Sequence, residues 1–439
     1  MKTNQLGSWR RTHYSTEINP KLDGEEVIVL GWIRDIRDLG GIRFIVLQDK
    51  EGTVQITIPR DRVNQEMVEK ADSLQRQFSI GVRGVVKKME KAPGGAEIIP
   101  REILVLGIAQ QPLPIDISGR TPADIDVRLD ARVLDLRRDE NQAIFKIRHV
   151  ALEAMRSFFS QRGFLEVYTP KIIASATEGG AALFPVSYFG REAFLAQSPQ
   201  LYKEQLVTAF EKVYEIGPVF RAEESHTRRH LSEFVSVDME EAYVTAEDVM
   251  GVLEEMICHV YKSVKERCQR ELNILKHRID VPKTPFKRLT YDEILEELGK
   301  EGLHIPWGED IPTPACRKLG KIHPHFYFIT DWPTRSKPFY IKPRDDNPEV
   351  SEGFDLMWSW IEIASGGTRV HSKDLLVKRL REQGLSPESF KYHLQAFDYG
   401  MPPHAGWAVG LARLVMALTG KKNLREVVFY PRDRFRLTP

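Results

Sequence analysis

A chain of 439 residues is longer than one hydrophobic core usually serves, so two or three domains are expected and a single small domain is excluded. Hydrophobic residues at 42% and charged residues at 28%, with no low-complexity tract, exclude disordered and collagen-like chains. Lys and Arg number 63 against 62 Asp and Glu; a net charge of +1 gives no bulk field for a polyanion, so any nucleic-acid contact must come from local residues.

The predicted elements begin with five short strands between Val27 and Leu106: VIVLGWIR, FIVLQD, VQITI, SIGVRGVV and the alternating run from Glu97. Between the third and fourth lies a charged stretch, Asp61 to Arg76, with Val63, Met67 and Leu74 at roughly helical spacing. Five strands with one helix after the third is the order of an OB barrel. Residues 107 to 135, with Pro112, Pro114, Pro122 and the alternating charges of RLDARVLDLRR, read as a linker. Asn141 to Gln161 carries an apolar face at Ile144, Ile147, Val150, Ala151, Ala154 and Phe158, the pattern of an amphipathic helix. Strand-like runs follow at VYEIGPVF, FVSVDMEEAYV and FDLMWSWIEIA, with helices at 246 to 269, 372 to 383 and 409 to 419. The whole is an α+β chain: a barrel over 1 to 106, a linker over 107 to 135, and over 136 to 439 a larger domain with helices segregated around its strands.

No GxGxxG and no GxxxxGK[ST] occurs, so neither a dinucleotide fold nor a P-loop is supported. Cys258, Cys268 and Cys316 are too few and scattered for a disulfide framework or a closed zinc site and fit a reducing compartment. The segment MKTNQLGSWRRTHYS has no apolar signal core, and no run approaches the roughly 18 apolar residues of a membrane span, so a cytoplasmic protein with no membrane partner is expected. Residues 282 to 350, with Trp307 and Trp332, carry no motif.

Four segments concentrate chemistry. Between two strand-like runs, Arg221, Glu223, Glu224, Arg228, Arg229 and His230 exceed what a hairpin tip needs; arginine forks suit phosphate, and Phe234 on the returning strand could lie over a nucleobase. In GFDLMWSWIEIASGGTRVHS, Asp355, Glu362 and Ser365 are oxygen donors suited to magnesium, with Arg369 after a Gly-Gly pair. Asp355 and Glu362, seven apart, would fall on opposite faces of an ideal strand, so a bulge or a change of strand is required to bring them together. GWAVGLARL places Gly410 and Arg413 at a helix start, and in FLAQSPQLYKEQL a helix after Pro199 would turn Gln200 and Lys203 one way.

Taken together, these segments resemble the class II aminoacyl-tRNA synthetases. GFLEVYTP, ending at Pro170, is similar to their first motif, Phe220 to Phe234 to the second, and Gly410 to Arg413 to the third. SATEGGAALFPV, QSPQLYKE, the GFD to EIASGG stretch and the ending FYPRDRFRLTP resemble aspartyl-tRNA synthetases of the archaeal type over nearly the whole chain.

The resemblance implies that Glu178, Gln200, Lys203, Asp238, Ser365 and Arg369 form the aspartate site, with Lys203 and Arg369 on the side-chain carboxylate. It implies that Arg221, Glu223, Arg229, His230, Leu231, Phe234, Glu362, Gly410 and Arg413 surround ATP, and that Arg221 and Arg413 stabilise the transition state. Asp355, Glu362 and Ser365 would lie near Mg2+. On the barrel, Phe44 and Gln55 would read the central anticodon uridine; a core position in the second strand is the alternative for Phe44. The first motif implies a homodimer.

Two features depart from the family pattern. Ala412 stands where the third motif usually has an acidic residue. Relatives restricted to the aspartate tRNA tend to carry Trp where this chain has Arg34 and Lys where it has Pro93. Proline there resembles the relaxed form that also charges tRNA(Asn) and relies on a partner amidotransferase, while Arg34 matches neither pattern. The alternatives are a strictly discriminating aspartate enzyme, a related asparagine or lysine ligase, against which Lys203 argues, and a non-catalytic tRNA-binding paralogue. The last should have lost Arg221, Glu362 or Arg413, and all three are present.

Overall fold

The computed structural model describes residues 2–174, 183–222 and 231–439, which form two units, Met1–Leu134 and Asp135–Pro439. In the first, strands β1 (Glu26–Asp38), β2 (Ile42–Gln48), β3 (Thr53–Pro59), β4 (Ser79–Lys88) and β5 (Ala96–Gly107) close into a barrel in the order β1-β2-β3-β5-β4. Period-two alternation sends Val27, Val29 and Ile33 of β1, Ile45 and Leu47 of β2, and Val54, Ile56 and Ile58 of β3 into the interior. Helix α1 (Gln65–Ser73) joins β3 to β4; Asn64 caps it, its side chain accepting from Met67 N at 2.9 Å, and Met67, Val68 and Ala71 form its buried face. Two short helices follow the barrel, α2 (Ile125–Asp130) and α3 (Arg132–Asp135).

The second unit is built on an eight-stranded sheet. Its elements in chain order are α4 (Asp139–Gln161), β6 (Leu165–Glu166), β7 (Ile172–Ile173), β8 (Pro185–Tyr188), β9 (Arg191–Leu195), α5 (Gln200–Phe210), β10 (Lys212–Phe220), β11 (Glu233–Ala242), α6 (Ala246–Arg267), α7 (Gln269–Ile274), β12 (Lys287–Thr290), α8 (Tyr291–Lys300), α9 (Thr313–Ile322), β13 (Phe326–Thr330), β14 (Gly353–Trp358), β15 (Ile361–Thr368), α10 (Lys373–Glu382), α11 (Lys391–Phe397), β16 (His404–Gly410) and α12 (Leu411–Thr419). The sheet order is β12-β13-β14-β15-β16-β11-β10-β6; only the β12/β13 and β6/β10 pairs are parallel. Strands β7, β9 and β8 form a separate small sheet. One face of the large sheet packs on α4, α6 and α12 through Ile147, Phe159, Leu253, Ile257, Leu414 and the inward residues Val237, Met239, Trp407 and Val409. The Trp407 indole donates to the Val249 carbonyl at 3.0 Å, so its burial leaves no orphan donor.

Two differences from the sequence reading have clear causes. The run from Phe354 to Ala364 is two strands: the chain turns at Ser359, whose φ is 54°, so the aromatic-rich segment folds back on itself. Residues 282 to 350 extend the sheet through β12 and β13 and cover it with α8 and α9; Trp332 packs there with Tyr291, Ile294 and Leu319. Among the described residues no helix is long and apolar enough to cross a membrane.

Candidate active site

Strand register builds the site. Asp238 of β11 pairs with Ala408 of β16, Ala408 with Ser365 of β15, and Ser365 with Asp355 of β14, so these four residues form one row across the sheet. Alternation along β11 puts Phe234, Ser236 and Asp238 on this face, while Val237 and Met239 face the helices. Glu362 reaches the row through a bulge: Leu356 pairs with Ala364 and Met357 with Glu362, so Ile363 is the extra residue. That insertion brings Glu362 and Ser365, three apart, to one face, and the β14/β15 turn returns Asp355 beside them. The bulge and the change of strand that the sequence offered as alternatives are both present.

The resulting cavity of about 290 Å³ is lined by Gln200, Arg221, Phe234, Asp238, Arg369 and Arg413 among others. Beneath its floor is an ionic layer. The Arg369 guanidinium donates from Nε to Glu240 Oε1 at 2.8 Å and from Nη2 to Glu240 Oε2 at 3.2 Å. Burial would lower its pKa, but the Glu240 carboxylate outweighs this and holds it above the ordinary value. Gly406 is needed here, since a Cβ at that position would lie 2.3 Å from Glu240 Oε2. Lys203, 2% exposed, lies 3.1 Å from Asp238 Oδ1 and 3.4 Å from Glu240 Oε2.

At the other end are groups suited to a nucleotide. Arg221 lies over the Phe234 ring at 5.6 Å, and its buried Nε has no partner among the described residues. Arg413, in the first turn of α12, donates to the Glu362 carbonyl at 2.9 Å and to Glu362 Oε1 at 3.2 Å. Burial raises the Asp355 pKa, opposed by Lys337, whose Nζ lies 2.8 and 2.7 Å from the two carboxylate oxygens. Among the described residues no three His, Cys, Asp or Glu side chains converge on a metal-holding position. The candidate set is instead two carboxylates and the Ser365 hydroxyl. Their oxygen chemistry fits a hard cation, and the Lys337 ammonium already stands against Asp355 as a cation would.

Of the residues named from sequence, Gln200, Arg221, Leu231, Phe234, Asp238, Glu362, Ser365, Arg369, Gly410 and Arg413 line this one cavity. Glu178, Glu223, Arg229 and His230 lie outside the described residues. Lys203 and Asp355 are not on the lining: each sits one layer back, its charge engaged by protein partners. Sequence reasoning missed Glu240, Lys337 and Glu204. Glu240 and Glu204 read as ordinary members of charged runs, and Lys337 lies in the segment without a motif.

On the barrel, Phe44 pairs with Thr57 and Val46 with Gln55 across β2 and β3, on the face opposite the core residues Ile45 and Leu47. Phe44 is therefore not a core residue. Gln55 donates from Nε2 to the buried Glu97 at 2.9 Å and to Thr57 at 3.3 Å, which turns its amide in one sense. Arg34 is the extra residue of a bulge in β1 between the Ile33–Leu47 and Asp35–Val46 pairs, and Pro93 opens the exposed 3-10 turn Pro93–Gly95 before β5.

Comparison with known proteins agrees with this construction. Residues 124–434 match the family described as tRNA synthetases class II (D, K and N), and residues 27–106 match the OB-fold nucleic acid binding domain. The aspartate-tRNA(Asp/Asn) ligase of Methanopyrus kandleri is 54% identical over 97% of this chain and 99% of its own, and that of Archaeoglobus fulgidus 51% identical over the same shares. Among solved structures, asparaginyl-tRNA synthetase of Pyrococcus horikoshii complexed with asparaginyl-adenylate superposes with a TM-score of 0.93 at 32% identity, covering 98% of this chain and all of the other. Aspartyl-tRNA synthetase from Entamoeba histolytica gives 0.88 at 31% identity, covering all of this chain and 96% of the other. The chain belongs to the class II tRNA synthetases of the D, K and N group, and within them to the family of archaeal aspartate-tRNA(Asp/Asn) ligases.

Proposed function

We propose that the chain activates L-aspartate with ATP and transfers the aspartyl group to the 3′ end of both tRNA(Asp) and tRNA(Asn). The observation that carries this reading is the buried Arg369 in the cavity wall, two of whose nitrogens are spent on Glu240 while Nη1 has no partner among the described residues. A substrate carboxylate can accept from it. An asparagine amide brings no charge to this cation and one acceptor oxygen where the carboxylate has two, so the ionised side chain is favoured. The named aspartate ligases at 51–54% identity support the same choice over the asparaginyl enzyme at 32%.

In this reading Asp238 receives the substrate ammonium, and Lys203 supports the carboxylate end from below by neutralising Asp238 and Glu240. The α-carboxylate attacks the α-phosphorus in line and pyrophosphate leaves; Arg221 and Arg413 stabilise the charge gathering on the phosphate oxygens, while Phe234 supports the base. Asp355, Glu362 and Ser365 would hold Mg2+, which when bound supplies positive charge to those oxygens. The terminal 3′-hydroxyl of tRNA then takes the aspartyl group and AMP leaves, with no covalent enzyme intermediate. Catalysis is assigned to residues 136 to 439, anticodon reading to 1 to 106, and the connection to 107 to 135. A cytoplasmic protein is part of this reading, supported by the three free cysteines. Aspartate on tRNA(Asn) is a mischarged product, so a tRNA-dependent amidotransferase is implied as the next enzyme.

Aminoacylation with radiolabelled aspartate of two transcripts, with anticodons GUC and GUU, tests this directly. Similar charging of both is expected, with Pro93 and Arg34 marking relaxed reading of the third anticodon base. Charging of GUC alone would overturn the relaxed reading, and charging of neither the ligase reading. In the same assay Phe44→Ala should raise the KM for tRNA about 5- to 150-fold, the loss of one stacked base, and leave pyrophosphate exchange unchanged. A homodimer through the first motif is supported by exposed Leu165, Tyr168 and Ile172, with the strip held to β10 by Glu215, which accepts from Thr169 Oγ1 at 2.7 Å. Light scattering should give twice 50.5 kDa; a monomer would exclude it.

A further inference from the structure

Behind the ionic floor lies a group of buried titratable side chains with no part in the mechanism so far. Glu204 of α5 and His404 of β16 are fully buried and His393 of α11 is 3% exposed. Glu204 Oε1 accepts from Gln200 Nε2 at 2.5 Å, and the same Nε2 lies 3.5 Å from Glu240 Oε2. Glu204 Oε2, with no hydrogen bond of its own, lies 3.4 Å from His393 Nε2 and 3.7 Å from His404 Nε2. His404 Nδ1 is 2.8 Å from the Pro402 carbonyl, which accepts only, so Nδ1 carries a proton and Nε2 is protonated only in the imidazolium.

We propose that Glu204, backed by His404 and His393, is a positioning residue that locks the Gln200 amide with its NH2 turned into the protein and its carbonyl oxygen left for the substrate ammonium. A glutamine amide has nearly the same shape either way round, so packing alone does not choose. Charge does. The amide nitrogen stands against two carboxylates, close to Glu204 and at 3.5 Å from Glu240, which only accept when ionised, and Gln200 Oε1 is left without a partner among the described residues at the cavity wall. The flipped amide would set its oxygen against Glu204 and Glu240 and its NH2 against a cationic substrate group. The inference rests on the aspartate reading and adds to it a residue that does not touch substrate.

The charges around Glu204 explain why histidines stand behind it. Lys203 lies on its own helix, Asp238 and Glu240 on β11, Arg369 and then His371 after β15, His393 on α11 and His404 on β16. Two permanent cations thus face three carboxylates, one positive charge short, and protonated His404 supplies it. Burial would push His404 down, but the Glu204 carboxylate more than offsets that and holds it above its ordinary value. Burial would raise Glu204, and the two histidines reverse this and lower it. Burial holds His371 low, with the neighbouring His404 charge acting the same way. The contribution of the His404 pair is therefore complete below the ordinary histidine range and is lost as pH rises through the raised value.

The test is ATP–pyrophosphate exchange with aspartate across pH 6 to 9. Glu204→Gln should raise the KM for aspartate about 10- to 100-fold, with kcat and the KM for ATP nearly unchanged, the pattern of lost binding orientation. In the unaltered protein the KM for aspartate should climb on the alkaline side, and Glu204→Gln should flatten that climb. His404→Asn, which keeps a donor for Pro402, should reproduce the KM effect at neutral pH. The double variant should be no worse than the worse single, because both act through one amide. A Glu204→Gln protein with the original KM and pH profile would overturn the proposal. If that variant does not fold, an original KM and pH profile in His404→Asn overturns it equally. Absence of exchange with aspartate in the unaltered protein would instead remove the aspartate reading, and this inference with it.

Discussion

Arg221→Ala is expected to slow adenylate formation about 10²- to 10³-fold while leaving the KM for aspartate close to its original value. The residue enters the cavity beside Phe234, away from the Arg369 end, and its Nε is a buried donor without a partner among the described residues. A buried, unspent donor in a cationic site is poised for an anion that arrives with the substrate, and its value is greatest when charge collects on the phosphorus in the transition state. Single-turnover formation of labelled aspartyl-adenylate is the measurement. A parallel rise in the KM for aspartate with little change in rate would place Arg221 in amino-acid binding and contradict the assignment. Arg221→Lys should recover only part of the rate, because a point charge does not reproduce the planar fork.

Arg369→Met should cost both activity and stability, and the two losses can be separated. Removing the guanidinium takes away the proposed partner of the substrate carboxylate and leaves Glu240 buried with Lys203 at 3.4 Å and the Gln200 amide at 3.5 Å in place of a bidentate ion pair. Breaking one side of a buried ion pair typically costs about 3–5 kcal/mol, so a clear fall in the urea midpoint is expected together with loss of aspartate-dependent exchange. The double variant Arg369→Met with Glu240→Met removes both charges; it should recover much of the stability and none of the exchange. Recovery of exchange in the double variant would show that Arg369 acts only by neutralising Glu240.

Much of the fold is legible in the sequence because it depends on local pattern. The barrel strands follow from two-residue alternation, α4 from its apolar stripe and α5 from its start after Pro199; each appears within a few residues of its expected place. Ten of the cavity-lining residues could be named in advance because they fall in motifs whose order along the chain is specific. Depth was harder to read. Lys203 was expected at the substrate carboxylate and stands below the floor, because a lysine in QLYKE looks the same whether its ammonium meets a ligand or two glutamates from another strand. Glu240 and Glu204 gave no signal for the converse reason: they are single letters in charged runs, and only packing removes them from water.

By itself, the sequence determined the barrel strands, the strands β10 and β11 and the helices α1, α4, α6, α10 and α12, the order of barrel and catalytic unit, and which residue types were available for nucleotide, cation and amino acid. These are properties of spacing and composition, carried by interactions within a few residues. Only the tertiary structure decided which of those groups meet. The Ile363 bulge and the turn at Ser359 bring Asp355, Glu362 and Ser365 together, strand register aligns Asp238 with Ser365, and Glu204 meets His393 and His404 from two elements nearly 200 residues further on. Contacts of that kind arise from register and burial between distant segments, where a one-residue slip reverses the face of every side chain.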